Sequence, residues 1–187
     1  MTDLIRAGDP VLYMKVGMHA QESLEDILKR KQREIHTVGY AMWGYGGSSC
    51  LPAYVRPFAE ECADQGRVIR LVMEPVKSRH AREPVRASHY SLDNEEWELV
   101  PSGLDALGSR FALCIANLRE VDTELPLGAT EVAIGPQRGK LGDEYVRGQT
   151  DKACLEVVPR ARDGRVASIK LEADLVSPWS VYLQSPD

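Results

Sequence analysis

Ala41-Met42-Trp43-Gly44-Tyr45-Gly46-Gly47-Ser48-Ser49-Cys50-Leu51-Pro52 runs from an apolar segment through a glycine-rich loop to a proline that suits a first helical turn. Residues 40–43 read as a short strand, so the stretch is a strand-to-helix junction. Upstream, residues 11–16 carry apolar side chains on both faces, as a buried strand does. Ser23 is a suitable N-cap, with Asp26 three residues on, and Leu24, Ile27, Leu28, Ile35 and Val38 form a helical stripe. Gly39 supplies its stop. Downstream, Pro57 should break or kink whatever Pro52 begins. A helix proper is therefore predicted over about residues 57–65, burying Phe58, Ala59 and Cys62 and ending at Gly66. Residues 68–73 follow as a third strand. Strand, helix, strand, helix, strand over about residues 9–75 is the pattern of two βαβ units, whose crossovers predict three parallel strands.

Beyond Pro75 the pattern changes. Residues 76–90 are rich in Lys, Arg and His and show no period. Residues 90–99 read as a hairpin turning near Asp93-Asn94. Residues 111–118 form an apolar run expected to be a buried strand, and residues 131–134 another short one. Residues 153–158 and 165–175 read as strands paired around Asp163-Gly164, and residues 179–183 as a last strand. The expectation is α/β: a single domain over residues 1–187 with a mixed, partly parallel sheet, β-rich from about residue 88.

The 187 residues are 43% hydrophobic and 27% charged, ordinary for a globular protein. A net charge of −5 argues against a general duplex-DNA binder. No apolar run approaches the roughly 20 residues that span a bilayer. The N-terminal Met1-Thr2-Asp3-Leu4-Ile5-Arg6 lacks the build of a secretion signal, so a cytoplasmic setting is expected, with no membrane partner. Cys50, Cys62, Cys114 and Cys154 include no C-x-x-C pair, so neither a metal site nor a cofactor is expected, and free thiols are the simpler reading.

In open α/β sheets ligands sit beyond the carboxyl ends of parallel strands. The loops expected there are residues 17–22, 44–51 and 75–80. In the second, Gly44, Gly46 and Gly47 permit close backbone approach, Ser48 and Ser49 can cap a helix or donate to phosphate oxygens, and Trp43 and Tyr45 offer stacking faces. Lys77 and Arg79 add cations from the third. A second glycine loop, Gly135-Pro136-Gln137-Arg138-Gly139-Lys140-Leu141-Gly142, carries Arg138 and Lys140 and could wrap an anion. The basic run Lys29-Arg30-Lys31-Gln32-Arg33 reads instead as a solvated helix face, with pairs Glu25–Lys29 and Asp26–Arg30.

His19, at a strand end, has the pKa range of a general acid or base, and Cys50 is the thiol nearest the loop. Cys50 and Arg56 stand in a Cys-x5-Arg spacing that resembles the phosphate loop of cysteine-dependent phosphatases, which would make Cys50 a nucleophile and Arg56 an oxygen clamp. The five intervening residues, Leu-Pro-Ala-Tyr-Val, depart from that pattern: they contain no glycine, and Pro52 removes an amide. The leading expectation is a binding protein for an anionic small molecule, a nucleotide or other phosphorylated compound. The alternatives are an enzyme on such a substrate using His19 or Cys50, and an interaction module working through strand edges or the Trp97 hairpin.

Overall fold

A computed structural model describes residues 5–19, 22–80, 86–107, 110–147 and 150–186, and for residues 18, 19 and 78–80 the backbone only. Among these residues the chain forms one mixed nine-stranded sheet and three α-helices, an α/β fold. The strands are β1 (Pro10–His19), β2 (Ala41–Tyr45), β3 (Arg70–His80), β4 (His89–Ser91), β5 (Trp97–Leu99), β6 (Phe111–Pro126), β7 (Thr130–Val132), β8 (Lys152–Val157) and β9 (Val166–Gln184). The helices are α1 (Leu24–Val38), α2 (Pro52–Asp64) and the one-turn α3 (Gly142–Tyr145). No helix among the described residues is long and apolar enough to cross a membrane.

Local chemistry explains α1. The Ser23 side chain accepts the Asp26 amide at 3.1 Å, closing the first turn. Gly39 adopts φ 102°, where a side chain would be strained, and its N–H returns to Ile35 O. Helix α2 departs from expectation, because it begins at Pro52 and passes through Pro57. Proline lacks the amide that would bond Ala53, but Ala53 is exposed, so water can satisfy its carbonyl.

The strand order is β2-β6-β9-β3-β1-β8-β7, with the β4–β5 hairpin attached to β9. Only β1 and β3 are parallel, from Val11↔Arg70 to His19↔His80. The expected three-strand parallel unit is thereby corrected. Strand β3 is antiparallel to β9, β9 to β6, and β6 to β2, so β2 runs opposite to β1 and β3. β8 and β9 do not pair with each other either: β8 lies between β1 and β7, and β9 between β6 and β3. The expected last strand is the far half of β9, beyond an irregularity at Ser177-Pro178 (a cis bond) and Trp179.

Alternation along the strands separates the two faces of the sheet. Leu12, Met14, Val16, Trp43, Tyr45, Leu71, Met73, Leu113, Ile115, Leu171 and Cys154 join Ile27 and Leu28 of α1 and Val55, Phe58, Ala59 and Cys62 of α2 in the main core. On the other face Val11, Tyr13, Val72, Ala153, Leu155, Ala167 and Ile169 meet Leu127 and Val146. A third cluster sets Met42, Ala112, Cys114, Val181 and Leu183 against Ala87, Leu104 and Ala106.

The sheet is strongly curled. β2 and β8 are separated by five strand steps, about 24 Å in a flat sheet at the usual spacing. Yet Lys152 Nζ of β8 lies 5.9 Å from the centroid of the Tyr45 ring at the end of β2. The two margins curve toward each other around the helix-bearing core. That closure brings the loop after β2 over the start of β8.

Candidate functional site

Residues 46–51 join β2 to α2 and pass over Lys152 of β8. Tyr45 anchors the loop from below. Its hydroxyl donates to Cys50 O at 2.5 Å, which leaves the Ser180 hydroxyl, 2.6 Å away, to donate to it. The ring packs on Phe111 with centroids 5.4 Å apart. Cys50 turns the chain into the helix at φ 58°, a conformation rare for a residue with a side chain. Gly47 has φ 83°, and a Cβ built there would meet Lys152 Nζ at 3.3 Å. The ammonium therefore lies directly beneath an exposed stretch of backbone.

Lys152 is the residue that sequence reading missed. It is only 3% exposed, although lysine rarely tolerates such burial unpaired. Its partner is the neighbouring Asp151, whose carboxylate is 57% exposed. The backbone around the pair is held firmly: Lys15 N donates to Asp151 O at 2.7 Å, and Lys15 Nζ donates to Val146 O and Thr150 O. The signal was present in the period of β8. Lys152 shares its face with Cys154, so a strand begun one residue earlier than expected would have pointed it into the core.

The other expected residues are distributed as follows. Gly44 lies within β2, paired with Ala112, while Gly46 is half-buried and Gly47 and Ser48 are exposed. Ser48 and Ser49 do not cap α2, whose N-cap is Leu51 with no side-chain hydrogen bond. Their hydroxyls have no partner among the described residues. Trp43 and Tyr45 belong to the buried core, so their rings are not free stacking faces. The Cys50 thiol is buried, and its pKa is pushed up to about 12 by desolvation against the opposing pull of Lys152 and a hydrogen bond from the Cys154 backbone. Lys77 is exposed on β3. The side chains of His19 and Arg79 lie outside the described residues.

The second glycine loop has local work to do. Arg138 N donates to Gly135 O, Lys140 N to Gln137 O, and Gly139 N to Val132 O, while Val132 N returns to Lys140 O. The turn thus consumes its own amides and pairs with the outer edge of β7, blocking that edge from other chains. Arg138 and Lys140 stand exposed upon it. The first loop and its anchor Tyr45 contact β8 and β9 instead, through Lys152 and Ser180.

The expected loop geometry is corrected with the strand order. Because β2 runs opposite to β1 and β3, residues 44–51 do not leave the sheet at the edge where β1 and β3 end, and residues 17–19 and 75–80, expected as loops, belong to those two strands. Among the described residues, no group of three or more His, Cys, Asp or Glu side chains is placed to hold a metal ion. The hairpin ends in β5, which pairs only with β4 and leaves Leu99 71% exposed. No family model, curated protein or solved structure matches the chain.

Proposed function

We propose that the protein binds a phosphorylated small molecule at residues 46–49, with the phosphoryl group facing Lys152. The observation that carries this reading is the buried Lys152 ammonium beneath Gly47, with the exposed Ser48 and half-buried Ser49 following in the same loop. A cation held in a poorly solvated position attracts an anion more strongly than a mobile surface lysine does. Glycine at 47 permits close approach, and Gly46 has open space where a Cβ would stand. Nucleotides remain within the class through their phosphates. Recognition of a base would have to use groups other than the Trp43 and Tyr45 rings, which are packed in the core.

Thermal-shift and calorimetric titrations with inorganic pyrophosphate, AMP, ATP and adenosine test the reading. Pyrophosphate and ATP are expected to raise the melting temperature, since a ligand at 100 times its Kd stabilises by about 2.7 kcal/mol. Adenosine, lacking the anion, should not. Gly47→Val should remove the effect, because its side chain would crowd Lys152 Nζ. Absence of a shift with every anion at saturating concentration would sink the proposal.

A further inference from the structure

The pairing of Lys152 is asymmetric. The ammonium is buried and its backbone belongs to a sheet, whereas the carboxylate that neutralises it is more than half exposed. Asp151 is tied through its main chain, whose carbonyl accepts from Lys15 N. Among the described residues its side chain has no other hydrogen-bonding partner, so rotation about its own bonds can release the ammonium without moving the strand. Gly47, whose Cβ position lies 3.3 Å from the ammonium, and the following Ser48 are exposed. Anything anionic that reaches Lys152 must compete with this carboxylate or share the cation with it.

We infer that Asp151 is a built-in competitor for the anion site: its carboxylate occupies Lys152 in the free protein and is exchanged for the oxygens of the incoming ligand. This inference rests on the proposed anion-binding reading and adds a regulatory element to it. The charged groups around the exchange are few. Lys15, a second cation, is held by the carbonyls of Val146 and Thr150, and the buried Cys50 thiol stays protonated at neutral pH, so the thiol does not replace Asp151 as the counter-charge. The exchange sets an anionic oxygen against the same ammonium in both states, while Asp151 keeps its charge and turns it to solvent. It also explains how a buried lysine can be tolerated while the site is empty of ligand.

The test is calorimetric titration of inorganic pyrophosphate into the full chain, its Asp151→Asn variant and a Glu95→Gln control. Glu95 is exposed on the β4–β5 hairpin, with no contact to Lys152 among the described residues, and its substitution makes the same change in net charge. Asp151→Asn should tighten pyrophosphate binding by about three- to tenfold, the range expected from removing one partly screened competing charge. Glu95→Gln should leave affinity unchanged. Binding seen only in Asp151→Asn would overturn the exchange and the proposed binding by the parent, because the carboxylate would then exclude the anion without yielding to it. Unchanged or weaker binding in Asp151→Asn, with the parent still binding, would overturn the inference and leave anion binding standing. An equal gain in Glu95→Gln would overturn it as well, because net charge alone would then account for the effect. No binding by the parent or by Asp151→Asn at millimolar pyrophosphate would overturn both.

Discussion

Cys50 combines two properties that point in opposite directions. Its left-handed backbone at a strand-to-helix turn is a setting in which nucleophiles are found, and Lys152 beside it favours a thiolate. Burial opposes both, and desolvation wins, leaving a thiol pushed up to about 12. Burial acts without that opposing pull on Cys114, also pushed up to about 12, and on Cys154, raised well above its ordinary value. All four cysteines are buried and free. Iodoacetamide at pH 7.5 should therefore leave the native protein essentially unmodified and alkylate all four cysteines after denaturation in guanidinium. Mass spectrometry reads this directly. Rapid modification of Cys50 in the native protein would revive a nucleophilic role. The phosphatase-like Cys-x5-Arg spacing does not form a clamp here: Arg56 donates to Leu92 O at 2.8 Å, tying α2 to the hairpin.

Helix α1 shows how a charge pattern can mislead. Glu25 and Lys29 pair at 2.9 Å on the exposed side, as their spacing predicts. Arg30, however, pairs with Glu22 at 2.9 Å and not with Asp26, and Lys31 is buried against Glu34 at 3.1 Å. Burial lowers the Lys31 pKa and raises that of Glu34, with each partner opposing the shift of the other. The pair fastens a neighbouring strap: Lys31 donates to Asp105 O, and Glu34 accepts from Asp105 N at 3.1 Å. Leu104 and Ala106 then cover Met42 and Cys114. Lys31→Met alone should cost about 3 kcal/mol in urea unfolding, because Glu34 would be left buried without its counter-charge. The Lys31→Met/Glu34→Leu double variant should cost less, while amide exchange at residues 104–106 should speed up in both. Equal losses in single and double variants would refute the account. Such elements were legible where the determinants were local: the Ser23 cap, the Gly39 stop, and the hairpin turn, where Asn94 has φ 66°. Lys31 was not, because its partner segment lies far along the chain and no helical period announces it.

The curl of the sheet joins these local pieces, and its strand order depended on pairings no local signal carries. β2 finds β6 through Ala41↔Ile115, and the strand-helix-strand pattern looks the same whether β2 sits beside β1 or at the margin. The candidate loop was therefore legible as a loop, while its partner Lys152 became visible only once the margins met. On the opposite face, a polar network ties the distant segments together. Glu74 accepts from Tyr13 Oη at 2.6 Å, from Arg165 at 2.8 Å and from Ser168 N at 2.7 Å. Asp143 accepts from Arg165 N at 2.8 Å and from Arg147 at 2.6 Å. Burial pushes the Glu74 carboxyl up, but the hydrogen bonds from Tyr13, Arg165 and Ser168 outweigh it and hold the pKa below its ordinary value. Asp143 is likewise held down, chiefly by the Arg165 amide and then by Arg147. Both carboxylates thus bind protons more weakly in the folded state than in the unfolded chain, where their pKa values are about 4. Their contribution is fully present above those unfolded values and is lost as pH falls through the lower folded ones. Glu34 has the opposite sign, since its raised pKa makes folded-state protonation favourable, so it cannot cause a loss in acid. Urea midpoints measured from pH 7 to 2 should fall below about pH 4 in the parent. Asp143→Asn should lower stability at pH 7 by about 2 kcal/mol, the scale of a lost charged hydrogen bond, and should flatten the acid decline. The two curves should converge at the acid end. Curves that stay parallel down to pH 2 would show that Asp143 does not couple protonation to folding.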